Sequence, residues 1–229
     1  MSGKIILLII VFLIVLIFVE LFYYYRFSDN IYVQGNRNEN KIAITFDDGP
    51  ANETLKIIEI LKNEGVPATF FVLGKNIKKN PEIFKKLIKS GNEIGSHSYN
   101  HLKLNLKNKK KIGEEISSTD NLLEEFNVST NLFRPPYGYL SFFLNSELRK
   151  SGKKVILFDV KSKDYKNKGT KHIIENVLKN VRNGSIISFH DYAEEIGEVK
   201  YTSEALKILI PELKKNYEIV TVSELIGFK

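Results

Sequence analysis

Carboxylates and imidazoles recur along this chain in short, separated clusters whose residue types suit metal and acid–base chemistry. The first is Thr45-Phe46-Asp47-Asp48-Gly49-Pro50, where two carboxylates follow an apolar, β-rich run. Adjacent carboxylates resist joint ionisation, and a cation at one of them relieves the repulsion. An ordinary Asp-Gly turn closing a strand is the plainer account of the same residues. The second cluster, His97-Ser98-Tyr99-Asn100-His101, contains two of the chain's 4 histidines. Two His four apart face the same way on a helical turn and can chelate one ion, although a pair of surface histidines has the same spacing. With one carboxylate they form a two-His, one-Asp set, which leaves metal positions open for water and substrate as a catalytic zinc requires. Cysteine is absent, so any metal must be held by His, Asp or Glu.

Three further pieces extend the pattern. In Arg134-Pro135-Pro136-Tyr137-Gly138 two prolines stiffen the backbone and Gly138 permits an unusual turn. Such a loop can present a fixed backbone N–H to a developing oxyanion, or be a structural loop with a surface Arg. Asp164-Tyr165 and His190-Asp191 complete the set. A strand-end His opposite a metal and supported by a carboxylate is a candidate general acid; alone it is more often structural.

The elements that must position these residues alternate. β-rich runs occupy Lys41–Phe46, Ala68–Leu73, Glu93–Ser96, Leu132–Phe133, Lys154–Val160, Ser185–Phe189 and Glu218–Val222. Helical patterns occupy Thr54–Asn63, Pro81–Ser90, Ile112–Phe126, Lys171–Arg182 and Ser203–Asn216. Pro81 suits a helix start and Gly91 a helix end. This alternation predicts parallel βαβ units in an open sheet or a barrel. Asp47, Asp48, His97, Arg134, Asp164 and His190 all fall just beyond β-rich runs, and in such folds ligands gather at the C-terminal ends of strands.

Taken together and in this order, T-F-D-D-G-P, H-S-Y-N-H and R-P-P-Y-G resemble the motifs of the polysaccharide deacetylase family, also known as the NodB-homology or carbohydrate esterase family 4 domain. The closing stretch T-S-E-A-L to T-V-S-E-L is similar as well, so the resemblance spans residues 41–229. It implies an α/β fold, a distorted (β/α) barrel of about seven parallel strands. It further implies that Asp48, His97 and His101 bind a divalent metal, zinc first, with cobalt or nickel as substitutes. On the same resemblance Asp47 is the general base, the backbone N–H of Tyr137 helps hold the oxyanion, His190 protonates the departing amine, Arg134 orients Asp47, and Asp164 holds His190 protonated. Two positions depart from the family pattern. Tyr165 stands where a Trp is usual, and Ser188 where a Leu is usual. Both are expected near the pocket for the acetyl methyl, so a weaker apolar contact with the acyl group is expected there.

The remaining sequence bounds the setting. An unbroken apolar run, Ile5 to Val19, lies within a segment Ile5–Tyr25 that as a helix is about 30 Å long, the thickness of a bilayer core. Tyr23, Tyr24 and Tyr25 would form an interfacial belt with Arg26 beyond. Bulky residues follow the run and no A-x-A site is present, which favours a retained anchor over a cleaved signal peptide. Residues 1–26 are therefore expected as a single-pass anchor, 27–40 as a polar tether and 41–229 as the catalytic domain. Lys4, Arg26, Arg37 and Lys41 do not fix the orientation; an extracellular catalytic domain follows from the enzyme reading. The net charge of +7 suits an anionic wall surface, while the scattered lysines and the lack of a recognition motif argue against nucleic acid.

The expected partner is an acetylated glycan, peptidoglycan or an exopolysaccharide, with the anchor binding the membrane. Two other activities use the same scaffold: hydrolysis of O-acetyl esters or small amides, and non-catalytic glycan binding by an anchored module. A binding module has no need of both Asp47 and His190. Tyr139, Phe142 and Phe143 follow the third motif and suit either a sugar groove or the packing of a helix.

Overall fold

The computed structural model describes residues 3–26, 28–193 and 196–228; the side chains of residues 21–28 lie outside it, and with them the Tyr23–Tyr25 belt and Arg26. Among the described residues, nine strands form one sheet: β1 Ile31–Tyr32, β2 Lys41–Asp47, β3 Thr69–Val72, β4 Glu93–Ser96, β5 Leu132–Phe133, β6 Lys154–Ile156, β7 Val160–Lys161, β8 Ile186–His190 and β9 Glu218–Val220. The helices are α1 Gly3–Arg26, α2 Asn52–Glu64, α3 Gly74–Lys79, α4 Pro81–Lys89, α5 Lys109–Glu125, α6 Phe142–Lys150, α7 Thr170–Asn180, α8 Thr202–Leu213 and α9 Val222–Leu225.

Strand order is β1-β6-β5-β4-β3-β2-β8-β7, with β9 also on β2, and every strand pair is parallel. The sheet curls into the expected distorted barrel. Its seam lies between the end strands β1 and β7, and Gln34, just beyond β1, bridges to Ser185, just ahead of β8.

Side chains alternate across a strand, and that alternation divides β2. Ile42, Ile44 and Phe46 face the helices, where Phe46 stacks on Phe70 with ring centroids 4.8 Å apart. Ala43 packs into a second core inside the barrel with Phe71, Leu132, Ile156 and Ile186. Thr45 and Asp47 share the inward face with Ala43. On β8, Ile187 and Phe189 join the outer core, leaving Ile186, Ser188 and His190 on the other face. The parallel register sets Thr45 beside Ser188 and Asp47 beside His190. A column of polar groups thus rises above an apolar barrel floor.

Two expectations need revision. Lys154–Val160 is two strands, because Asp159 replaces ladder acceptors with its side chain: Ile186 N–H donates to it at 2.9 Å, and Ser185 and Arg37 also donate. The tether is also shorter than expected. Residues 28–40 are pinned to the domain through β1, the Gly35 N–H to Gly184 carbonyl bond at 2.8 Å and the Arg37–Asp159 ion pair. Such short polar pairing has no hydrophobic period to reveal it.

Among the described residues, α1 is long and apolar enough to cross a membrane, and its side chains from Ile5 to Val19 are all exposed.

Candidate active site

Asp47 ends β2 and Asp48 begins the turn after it. Asp48 has φ 76°, a conformation that side-chain-bearing residues adopt only when their surroundings enforce it. Asn76 on α3 donates to the Asp48 carbonyl at 2.7 Å, and the Leu73 N–H donates to the Gly49 carbonyl at 3.0 Å. Buried Asp191 completes the brace, accepting from Gly49 N–H at 2.9 Å and from the Thr54 hydroxyl. A Cβ at position 49 would lie 2.0 Å from an Asp191 carboxylate oxygen, so only glycine fits there. Burial pushes the Asp191 carboxyl up to about 7. Asp191 follows His190 in the sequence, but its carboxylate faces the Asp-Gly turn.

His97 follows β4, and the Arg134 N–H continues the β4–β5 pairing by donating to the Ser96 carbonyl at 2.9 Å. The two histidines converge without a helical turn, which corrects the expected spacing argument. Residues 97–103 form no helix, and Ser98 and His101 have φ of 71° and 58°. Buried Glu115 on α5 shapes this loop by accepting from the N–H groups of Tyr99 and Asn100 and from the Asn100 amide. Nothing in the sequence marks Glu115, since it lies in an amphipathic helix like any other Glu.

The donors Asp48, His97 and His101 lie within 4.8 Å of one another. His97 Nε2 and His101 Nε2 stand 3.4 and 3.3 Å from the same Asp48 oxygen. His97 Nδ1 donates to the Arg134 carbonyl at 2.6 Å, the outer bond that turns the opposite nitrogen toward a metal. Burial, more than the charge of His97, pushes the His101 imidazole down to about 4, so it is neutral and offers a lone pair near pH 7. Asp48 is held well below the carboxylate range: burial raises it, but the His97 hydrogen bond and the neighbouring imidazoles outweigh that. A buried carboxylate between two imidazole nitrogens fits a divalent cation, as the donor set of an open catalytic site.

Arg134 is fully buried, and each of its donor groups is used. Nη1 donates to Asp47 Oδ1 and Thr45 Oγ1, both at 2.7 Å. Nε and Nη2 donate to the carbonyls of Ile156 and Leu157, and the guanidinium lies over the Phe71 ring at 4.0 Å. A buried charge is tolerated only when paired and hydrogen-bonded this fully. Asp47 Oδ2 accepts from Ser188 at 3.1 Å.

Across the cleft, Asp164 Oδ1 accepts from His190 Nδ1 at 2.8 Å, while Oδ2 accepts from the His190 N–H at 2.7 Å and from Thr202 at 2.9 Å. Burial alone would push the His190 imidazole down. The Asp164 charge and hydrogen bond outweigh it, aided by Asp48 and Asp47, and raise it to about 10. Tyr165 packs edge-on against His190 at 5.4 Å, and Tyr137, at φ 62°, lays its ring 4.6 Å from His101. All eight candidate residues meet at one place: seven line or border a cleft of about 230 Å³, and Asp164 stands behind His190. Tyr139, Tyr165 and Ser188 line it too; Phe142 and Phe143 do not.

Comparison with known proteins identifies the family. A family described as polysaccharide deacetylase matches residues 34–156. A peptidoglycan-N-acetylglucosamine deacetylase of Bacillus cereus is 35% identical over 196 residues, 84% of this chain and 91% of that protein. A peptidoglycan-N-acetylmuramic acid deacetylase of Bacillus subtilis is 34% identical over 191 residues, 82% of this chain; the chain spans only 39% of that longer relative. A crystal structure of a peptidoglycan N-acetylglucosamine deacetylase superposes with a TM-score of 0.85 at 30% identity, covering 90% of this chain and 97% of that one.

Proposed function

The chain belongs to the polysaccharide deacetylase family, and on that premise we propose that it hydrolyses N-acetyl groups of peptidoglycan amino sugars, releasing acetate. One observation carries this reading. Asp47, fixed by Arg134, stands beside the Asp48–His97–His101 donor set, and His190, held by Asp164, faces the same cleft. A base and an acid with separate supports are what amide hydrolysis needs.

Asp48, His97 and His101 would hold the divalent metal, zinc by donor type, with cobalt or nickel able to replace it. When bound, such an ion polarises the acetyl carbonyl and acidifies water. Asp47 takes a proton from the water whose oxygen bonds to the acetyl carbon. The Tyr137 backbone N–H donates to the oxyanion as the carbonyl double bond opens. The C–N bond then breaks, and the sugar nitrogen takes its proton from His190. The products are acetate and a free amino sugar. Arg134 keeps Asp47 oriented, and Asp164 keeps the His190 imidazolium charged and oriented.

Residues 1–26 anchor the chain in the membrane, and the catalytic domain, 41–229 with 28–40 packed on it, lies on the outer side where peptidoglycan is found. Incubating the full-length protein with peptidoglycan and sequencing the muropeptides by mass spectrometry tests the substrate. Free amino groups on GlcNAc or on MurNAc name the sugar, and fully acetylated muropeptides would contradict the assignment.

A further inference from the structure

We propose that the face built by the Leu104–Leu106 turn and the N-terminal ends of α5 and α6 rests on the membrane surface, against anionic lipid headgroups. This seating rests on reading α1 as a membrane span. The first support is the length of the leash. Arg26 ends α1, and Asp29 is already ion-paired to Arg149 of α6. Asn30 donates to the Asn145 side chain at 3.2 Å, and Ile31 pairs with Val155 of β6. The three steps from Arg26 to Asp29 span at most about 11 Å when fully extended. A domain on so short a leash cannot stand clear of the bilayer; the leash holds α6 by Asn145 and Arg149, about one and two helical turns from Phe142, so the N-terminal end of α6 comes within reach of the surface when the helix lies along it.

The second support is what that region displays. Leu106 is 74% exposed, Phe142 51% and Phe143 47%. One small core beneath them, including Leu104, Ile112, Ile116, Leu144 and Leu148, packs the three elements together with Ile31. The segment 102–112 reads LKLNLKNKKKI, five lysines without an acid. Lys103, Lys107, Lys109 and Lys110 are exposed, and Lys109 Nζ lies 5.2 Å from the Phe143 ring. Apolar side chains set among lysines are the composition of a surface that dips into a headgroup layer while its cations meet lipid phosphates. Phe142 and Phe143 lie outside the catalytic cleft, so the reacting sugar does not account for their exposure. The link to function runs through Lys103, whose Nζ stands 5.4 Å from the ring of cleft residue Tyr137. A seated domain therefore opens its cleft beside the membrane, toward the glycan nearest to it.

The chain has no tryptophan, so a single introduced one reports its own surroundings. Full-length Leu106→Trp is reconstituted into phosphatidylcholine–phosphatidylglycerol vesicles with and without brominated lipid. Ile208→Trp serves as the comparison, because Ile208 is 55% exposed on α8, which packs against α2 and α7 away from α6. Flotation with the vesicles is measured first. The expected result is bromolipid quenching about twofold or more greater for Leu106→Trp, as an interfacial position requires. Adding Lys107→Glu, Lys109→Glu and Lys110→Glu, or omitting phosphatidylglycerol, should bring the quenching down to the Ile208→Trp level. Equal quenching in the two variants would overturn the seating, and so would quenching indifferent to both charge changes. If the charge-reversed protein instead loses binding to peptidoglycan, the patch belongs to the glycan. Protein that fails to float overturns the anchor and the seating together, while acetate release from soluble substrate still reports on the catalytic reading separately.

Discussion

The Ser188 hydroxyl donates to Asp47 Oδ2 at 3.1 Å, while Arg134 holds Oδ1 of the same carboxylate at 2.7 Å. The candidate base is thus gripped at both oxygens. The serine that departs from the family's usual Leu has a polar partner instead of an apolar one. Ser188→Ala should lower kcat by about fivefold, the value of one lost hydrogen bond near 1 kcal/mol, and leave KM nearly unchanged. Ser188→Thr should restore the rate. Steady-state kinetics of the two variants checks this; an Ala variant with full kcat would remove Ser188 from the positioning of Asp47.

Asp47→Asn should reduce kcat by on the order of a hundred- to ten-thousand-fold, the usual contribution of a general base, while metal content stays at the wild-type level. His101→Ala should do the opposite at the ligand set and lose metal on dialysis, because its Nε2 shares the Asp48 oxygen with His97. Elemental analysis alongside turnover separates the two roles. Metal retained by His101→Ala would take His101 out of the set.

Asp164→Asn should move the alkaline limb of activity to lower pH. His190 acts as an acid only while protonated, and its raised value, about 10, comes from Asp164 working against burial. Without that charge burial prevails and the proton is lost earlier. Stability shares the sign. A folded value above the ordinary 6.5 adds stability that is full below pH 6.5 and fades as pH rises through about 10. The profile of kcat against pH and urea unfolding at either end of this range give the test; an unchanged alkaline limb would free His190 from Asp164.

Arg134→Met should destabilise the fold by about 3–5 kcal/mol, because it leaves the Asp47 carboxylate buried without its cation. Denaturant unfolding measures it. A loss under about 1 kcal/mol would mean that Asp47 finds compensation elsewhere.

Much of this site was legible because its chemistry sits at strand ends. Asp47, His97, Arg134 and His190 end or follow β-rich runs, and parallel strands carry such residues to one rim. The inward column of Thr45, Asp47, Ser188 and His190 follows from a period of two, which the apolar pattern on either side already shows. What stayed hidden depends on packing between distant segments. Glu115 supports the loop between the two histidines from α5, and Asp191 supports the Asp48 turn from just beyond β8; both act on backbone N–H groups far off in sequence. The two-residue strand β1 is too short to carry a period, so the pinning of residues 28–40 leaves no mark in a polar stretch that has the composition of a tether. The exposure of Phe142 and Phe143 likewise depends on how α6 lies on α5, which no local pattern fixes.

Acetate release by the full-length protein from peptidoglycan, measured before chelation, after chelation and after zinc is restored, tests the central claim most directly. The geometry of Asp47, His190 and the Asp48–His97–His101 set predicts release that stops with the chelator and returns with zinc. Release unaffected by the chelator, or none from zinc-loaded protein, would contradict it.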